Sequence, residues 1–507
     1  MSKTKSFKSS LVRTVSFDGI NVIETLVECM LLPGIPSFSI VGLGDKTINE
    51  SKERVKSALY ASEFSFPACK IIINLSPANL FKEGSHYDLP IALSILVAQG
   101  EIPSQILENK IIMGELGLNG NILPVYGVLP SVIFANKQNY DFVGAKENYK
   151  EMILPMKIFA MENLGELVLN LKKNRYVGNS NTLEIDLEIK EEKNYTFNKI
   201  YGQEIGKRAL VIAAAGKHNL LLVGPKGVGK SMLSKSIIEL LPDLTLEESL
   251  ESTSIHSIAG ALKDFKILKK KPFRSPHSSS SLVSIIGGGT TPKPGEISLA
   301  HNGILFLDEL PEFPLAVIDS LRTPLEDGVV YLSRAKYKTS YPSKFQLIVS
   351  MNPCKCGNIL DGKCSCRNRN YINKISGPIQ DRIDIKVVLN RVNFSKKPEN
   401  FIENVQESIN LAIKRQRNRS NNLNLSGSFF NSDLSIETLE NHCGFSQEIL
   451  EYMQNLCTQR EMSGRSYKKC LAVARTIADL ENKDSISKEH VHESFFFVKN
   501  PFESSRD

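Results

Sequence analysis

One octapeptide constrains this 507-residue chain more than any other feature: Gly224-Pro-Lys-Gly-Val-Gly-Lys-Ser231, set between an apolar run, Asn219 to Val223, and a helix-patterned segment. Glycines at that spacing let a loop close with its N–H groups turned inward. The helix that follows adds the partial positive charge of its N-terminus, so the loop fits a phosphate chain. Strand, phosphate-sized loop and helix are the repeating unit of a parallel sheet, so a layered α/β domain is expected here. Gly224, Pro225, Lys226, Gly227, Val228 and Gly229 are expected to wrap a nucleotide, with Lys230 reaching its β- and γ-phosphates and Ser231 ligating Mg²⁺.

A domain of this kind needs an acidic strand end, and Gly303-Ile-Leu-Phe-Leu-Asp-Glu309 supplies one. Asp308 would hold Mg²⁺ through its water shell while Glu309 polarises the attacking water. A further apolar strand, Phe345 to Ser350, leads into Met351-Asn-Pro353. Asn352 is placed to orient that water; the alternative is a simple Asn-Pro turn. In Ser376 to Asp384, Arg382 sits among acids. By itself it reads as a surface salt bridge, but a ring-forming ATPase needs an arginine supplied in trans to the γ-phosphate.

At roughly 150 residues per domain the length suggests about three domains. Charged residues make 23% and hydrophobic ones 41%, which excludes wholesale disorder, collagen-like and coiled-coil classes. No apolar run approaches the length of a membrane span and no apolar stretch follows Met1 to Leu11, so a cytoplasmic protein without a membrane partner is expected. Residues 1–170 read as mixed α/β, with strands in Ile35 to Val41 and Lys70 to Asn74, a helix from Lys52 to Ala61 and a core helix from Leu89 to Gly100. Residues 171–195, with five acids and five bases, read as a linker. Residues 196–392 form the nucleotide domain, beginning with a helix from Gln203 to Gly216. Residues 393–507 read as an all-helical lid, with helices Gln447 to Arg460 and Ser466 to Leu480 and a last one capped by Ser487. The net charge of +7 is uneven: residues 1–170 carry −2 and residues 171–507 carry +9, so a polyanion would be met by the second part.

Within that part, Val329 to Phe345 reads as a hairpin in which Arg334, Lys336, Lys338 and Lys344 interleave with Tyr331, Tyr337 and Tyr341. Bases with aromatics suit phosphate neutralisation and base stacking, although a solvated edge hairpin has the same composition. Lys263 to Arg274 and Lys414 to Arg419 are further basic runs, each explicable as a solvated face. Ser278 to Glu296 is too rich in glycine and serine for core and reads as an insertion. Of nine cysteines, five are scattered as small core residues, while Cys354, Cys356, Cys364 and Cys366 form C-x-C-x₇-C-x-C. Four thiolates in that pattern can close a structural Zn²⁺ site; free or redox-active thiols are the alternative, and the C-x-C spacing is tighter than usual.

Gly202-Gln-Glu204, Phe273 to His277, Gly287 to Gly289, Pro294 to His301, Leu321 to Gly328, Met351 to Cys354 and Ala472 to Leu480 together resemble the motifs of the YifB/ComM family of magnesium-chelatase-like AAA+ ATPases. The resemblance covers nearly the whole chain. It implies a hexameric ring with ATP between subunits, Asn352 as sensor 1, Arg382 as arginine finger, Arg465 as the sensor 2 arginine of the lid, and Ser278 to Glu296 as a helix-2 insert. Residues 1–170 resemble the Lon protease domain in Asn74 to Pro77, Lys82 to Gly84 and Gly114 to Val143. Matching those motifs puts the nucleophile position at His86, one residue after Ser85, and the lysine position at Leu129, which argues against proteolysis.

The expected function is an ATP-driven hexameric DNA motor, a helicase or branch-migration factor acting on single-stranded or branched DNA beside recombination proteins in transformation. A chelatase-type protein remodeller and, less well supported, an ATP-dependent protease are the alternatives.

Overall fold

The structure, a computed structural model, describes residues 8–42, 46–177, 195–289, 292–334, 337–356, 364, 366, 374–391, 402–425 and 429–499. It divides into two compact units, Met1–Ile189 with Leu246–Leu268, and Lys190–Thr245 with Lys269–Asp507. Among the described residues no helix is long and apolar enough to cross a membrane.

The first unit is built on a mixed seven-stranded sheet in the order Ser37–Val41, Lys70–Ser76, Asn21–Leu32, Lys8–Asp18, Lys110–Ile112, Asp141–Ala145, Ile158–Met161. Lys8–Asp18 and Asn21–Leu32 pair antiparallel along their full length, from Lys8 opposite Leu31 to Asp18 opposite Asn21, and Gly19 makes the tight return in the left-handed region at φ 62°. From Lys8–Asp18 to Ile158–Met161 every pairing is parallel, and helices make the crossovers. The helix Asp88–Gln99 is apolar on all sides and is buried from Asp88 to Ala98, as such a pattern requires, before Gly100 stops it. Its one charge, Asp88, takes Arg54 Nε at 2.6 Å and Nη2 at 3.1 Å and the Leu116 N–H at 3.2 Å.

Two features of this unit differ from the sequence reading. The segment Leu246–Leu268, counted above with residues 196–392, packs in the first unit. Its helix Leu246–Ile258 buries Ser252, Thr253, Ser254, His256 and Ser257, a polar face that hydrophobic periodicity does not flag. Hydrogen bonding explains the burial: Ser257 Oγ donates to Glu151, and the Gly127 N–H reaches Ser257 O at 3.2 Å and Oγ at 3.1 Å. The second difference is at the domain end, where the helix Leu164–Lys172 runs through position 170. Most of the expected linker 171–195 lies outside the described residues.

The second unit holds five strands in the order Phe273–Arg274, Ile304–Leu307, Gln346–Met351, Leu220–Val223, Ile385–Val388, with every neighbour parallel. Leu220–Val223, Ile304–Leu307 and Gln346–Met351 are buried at every position, which marks a sheet covered on both faces. Leu210 on the helix Glu204–Gly216, Leu222 and Ile348 on the sheet, and Val473, Ile477 and Phe495 on the C-terminal helices belong to one core. Those helices are Ile402–Asn422, Ile436–His442, Gln447–Gln459, Gly464–Leu480 and Lys488–Val498. Ser435, Ser446 and Ser463 cap three of them, and Ser487 opens the last in a capping box with His490.

The basic run Lys414 to Arg419 is mostly consumed inside this helical part. Asp479 is fully buried and draws Arg419 at 2.6 Å, Arg475 at 3.1 Å and Arg415 at 3.5 Å, while Arg417 lies 4.8 Å over the Phe429 ring. Arg475 also donates through Nη1 to the Cys443 and Asp484 carbonyls, so a nearly unexposed guanidinium is held by backbone as well as by charge. Removing the shared carboxylate strands buried cations, so Asp479→Ala is expected to cost about 3–5 kcal/mol. A lower denaturation midpoint for this unit checks it; Arg417→Ala, which breaks no buried pair, is expected to leave the midpoint nearly unchanged.

Candidate functional site

The phosphate-sized loop joins the strand Leu220–Val223 to the helix Lys230–Leu240. Gly227 and Gly229 take φ of 82° and 90°, a conformation that makes glycine the natural residue there. Gly224 is needed for a different reason: a Cβ on it would stand 2.7 Å from the Leu389 carbonyl oxygen. Lys230 opens the helix with its ammonium buried, donating to Gly224 O at 2.7 Å, Pro225 O at 2.9 Å and Asn352 Oδ1 at 2.9 Å. Burial lowers its pKa below the usual lysine value. Gln203 Nε2 donates to Val228 O at 3.1 Å and to Asn390 O at 2.8 Å, tying the loop to the end of the neighbouring strand.

Asp308 and Glu309 end the strand Ile304–Leu307. Asp308 Oδ2 accepts Ser231 Oγ at 2.6 Å, and Oδ1 accepts Ser350 Oγ and the Glu309 N–H, the latter at 3.1 Å. Glu309 turns the chain at φ 53°, in the left-handed region, so the two acids leave the strand in different directions. A hydroxyl and a carboxylate brought together at the loop mouth fit Mg²⁺, a hard cation that keeps several waters and takes few protein oxygens. The structure thus brings Lys230, Ser231, Asp308 and Asn352 together.

Arg382 and Arg465 stand elsewhere. Both line an open cleft of about 560 Å³ together with Lys217, Lys344, Lys468 and Lys469. Arg382 pairs with Glu326 at 2.6 Å and Arg465 with Asp381 at 3.5 Å. The position of Arg382 is set by Asn219, which donates through Nδ2 to Arg382 O at 2.8 Å, through its N–H to Asp384 at 2.9 Å, and accepts the Leu347 N–H at 2.8 Å. Asn219 immediately precedes the strand whose other end is the phosphate loop. Five residue steps of about 3.3 Å each separate Asn219, and the Arg382 backbone bonded to it, from Gly224 by roughly 16 Å, at the opposite end of the strand.

The hairpin forms as two strands, Val329–Arg334 and Tyr337–Pro342, with Ser333 opposite Lys338 and Arg334 opposite Tyr337. Tyr331 is 64% exposed, whereas Tyr341 is buried with its hydroxyl donating to Pro292 O at 2.8 Å, so Tyr341 is not free to stack on a base. Lys336 lies outside the described residues. Lys344 follows the hairpin and lines the Arg382 cleft. The insertion Ser278 to Glu296 contributes more to the interior than its composition suggests: Ile285, on the helix Leu282–Ile286, is fully buried. Gly295 permits this, since a Cβ there would stand 2.3 Å from the Gly287 nitrogen.

Cys354, Cys356, Cys364 and Cys366 converge, all four Sγ atoms lying within 4.8 Å of one another. Cys354 Sγ is 3.4 Å from Cys356 Sγ and 3.7 Å from Cys364 Sγ, and the Cys356–Cys364 separation is also 3.7 Å. Zn–S bonds of about 2.3 Å in a tetrahedron place sulfurs about 3.8 Å apart, so this donor set fits one Zn²⁺.

In the first unit His86 is buried with Nε2 3.0 Å from Val15 O, and Ser85 Oγ donates to Glu115. Leu129 is fully buried and its N–H meets Glu151 at 3.3 Å. Lys82 is buried with its ammonium on the Pro77 carbonyl, and burial lowers its pKa.

Sequence reasoning did not single out Gln203, Ser350 or Asn219 for these contacts. Gln203 lies in a quoted motif and Ser350 two residues before Asn352, but Asn219 has no signal beyond preceding a strand.

Three family models match the chain: subunit ChlI of Mg-chelatase over residues 27–148, magnesium chelatase subunit ChlI over 196–397, and its C-terminal part over 401–497. Protein YifB of Escherichia coli is 37% identical over 96% of each chain, and competence protein ComM of Haemophilus influenzae is 36% identical over 94% of each. The chloroplastic magnesium-chelatase subunit ChlI-2 of Arabidopsis thaliana is 22% identical over 66% of this chain and 84% of its own.

The Arg382 cleft contains a lysine with a measurable signature. Lys469 is half-buried, donates to Ile383 O at 2.8 Å, and desolvation brings its pKa down to about 8. Unfolded, a lysine titrates near 10.4, so between the two values the unfolded chain binds more protons and stability rises with pH. Melting temperature is expected to rise from pH 8 to 10 as the cost of burying the charged lysine is relieved, and Lys469→Met is expected to remove that increment.

Proposed function

This chain belongs to the family of magnesium-chelatase-like AAA+ proteins that includes YifB and ComM, and from that premise we propose that it is an ATP-dependent DNA motor working as a ring of six identical subunits. The observation that carries the reading is the division of charges between the two ends of the strands of one sheet. Lys230, Ser231, Asp308 and Asn352 meet at one end, while Arg382 and Arg465 share a cleft at the other. A phosphate chain on the loop is out of reach of its own subunit's Arg382, so the site is completed by a second copy, and repetition of one heterologous contact closes a ring.

In this mechanism the loop N–H groups and Lys230 bind the β- and γ-phosphates. Ser231 and Asp308 would hold Mg²⁺, which would neutralise charge on the phosphate oxygens. Glu309 takes the proton of the attacking water, and Asn352 orients that water. Arg382, with Arg465 beside it, comes from the neighbouring subunit to balance charge developing on the γ-phosphate. The cofactors are therefore ATP and Mg²⁺, with Zn²⁺ on the four-cysteine cluster.

DNA as the substrate is supported by the excess positive charge of residues 171–507, by Tyr331 and Lys338 on the exposed side of the hairpin, and by the name of the Haemophilus relative, a competence protein. Arg334, Lys336 and Lys344 are the further contact residues in this reading, single-stranded or branched DNA the ligand, and recombination proteins the partners. Residues 1–170 are a Lon-like domain without proteolytic activity, Leu129 standing where the base is required. The three chelatase models favour a second reading, an ATP-driven protein remodeller.

ATP hydrolysis by the purified protein, alone and with single-stranded or four-way-junction DNA at two salt concentrations, separates the two. Salt-sensitive stimulation by DNA is expected for the motor; a basal rate indifferent to DNA favours the remodeller. Lys230→Ala is expected to weaken ATP binding, and Glu309→Gln to keep binding while lowering turnover by about 10²–10⁴-fold. Arg382→Ala is expected to lower turnover by about 10³-fold or more with nucleotide affinity retained; a loss of affinity instead would place this arginine in its own subunit's site.

A further inference from the structure

The cysteine cluster begins two residues beyond Asn352, and this adjacency gives it a role in the nucleotide site. The strand Gln346–Met351 pairs with the phosphate-loop strand only as far as Met351 opposite Val223. The Gly224 N–H still reaches Met351 O at 3.2 Å, but Asn352 itself is one residue past the last pair of the ladder. Its side chain must nonetheless be placed closely, since its Oδ1 accepts the buried Lys230 ammonium at 2.9 Å. On the far side of Asn352 the chain is fixed again: Pro353 holds its own φ and restricts Asn352 to extended backbone, and Cys354 is fully buried.

Cys354 is held in turn by the other sulfurs. Its Sγ lies 3.4 Å from Cys356 and 3.7 Å from Cys364, and Cys366 Sγ accepts the Cys356 N–H at 3.2 Å. Neutral thiols gain little from crowding at these distances. Four thiolates round one divalent ion account both for the spacing and for an N–H donor turned towards sulfur. The first pair of ligands follows the strand end and the second lies beyond seven intervening residues of the sequence, so the ion would tie Cys364 and Cys366 to the residue that follows Pro353.

We propose that Cys354, Cys356, Cys364 and Cys366 hold one Zn²⁺ and that this tetrathiolate is the clamp that fixes Asn352 against Lys230, making ATP turnover depend on the metal. The clamp rests on the ATPase reading above; the metal site does not. The cysteines are positioning residues here, since they act through Asn352 and touch no nucleotide.

The test uses the full chain purified without chelator. Elemental analysis is expected to give one zinc per chain and no iron, and Cys356→Ser or Cys364→Ser to lose it. In those variants the turnover number is expected to fall about 10–100-fold with the ATP dissociation constant little changed. Asn352→Ala is expected to show the same split, and adding Cys356→Ser to it to lower turnover no further, as coupled residues do. Should the serine variants fail to fold, zinc is instead stripped from the wild-type protein with an organomercurial; turnover is expected to fall and to return with thiol and zinc. Zinc present at one equivalent with turnover indifferent to its loss overturns the clamp and leaves the metal site standing. Absence of zinc, or iron in its place, overturns the site and the clamp together. Zinc bound in a wild-type protein that hydrolyses no ATP under any condition tested overturns the ATPase reading and the clamp, but not the site.

Discussion

The ammonium of Lys230 is buried at the end of a parallel sheet, and three oxygens satisfy it: two carbonyls of its own loop and the side chain of Asn352. A charge in that position is costly unless each donor finds a partner, so the loop, the strand beside it and the residue past that strand must all arrive in register. The register comes from the ladder, in which Leu220–Val223 lies between Gln346–Met351 and Ile385–Val388, with pairs such as Val223 with Met351. Asp308 arrives by the same means, because Ile304–Leu307 pairs with Gln346–Met351 and ends with Leu307 opposite Val349, which brings Asp308 beside Ser350. The site is thus a property of strand ends, and the glycines Gly227 and Gly229 serve it by allowing the loop a backbone that other residues would strain to adopt.

The same strand has a second end. Asn219 joins it to Arg382, Asp384 and Leu347 through three hydrogen bonds, so the arginine cleft is braced by the strand that carries the phosphate loop. That four-residue strand is buried at every position. The C-terminal helices, one of which begins beside Arg465, pack into the same core.

Patterned features of the chain were readable from sequence. The strand-loop-helix unit, the acidic strand end and the Ser487 cap depend on local spacing, and the structure builds each with residues close together in the chain or in regular register. Less visible was anything decided by a polar side chain that becomes buried. The helix Leu246–Ile258 reads as half-polar, and its serines only make sense once Ser257 meets Glu151, more than a hundred residues away. Arg415, Arg417 and Arg419 read as a basic face until Asp479 and Phe429 are seen to occupy them. Tyr341 has the composition of a stacking residue and is taken out of solvent by a bond to Pro292.

The sequence by itself determined the chemistry available: which residues can cradle phosphate, carry a divalent ion or donate four thiolates, because those capacities belong to residue types at short spacing. Only the tertiary structure decided how they are grouped. It placed Arg382 and Arg465 together and away from Lys230, put Asn352 between a buried ammonium and a cage of sulfurs, and gathered four cysteines within reach of one ion. The physical reason is that these groupings arise from contacts made across the sheet and between segments remote in the chain. Such contacts leave no periodicity or local motif, since their energies depend on burial, which the chain acquires only on folding.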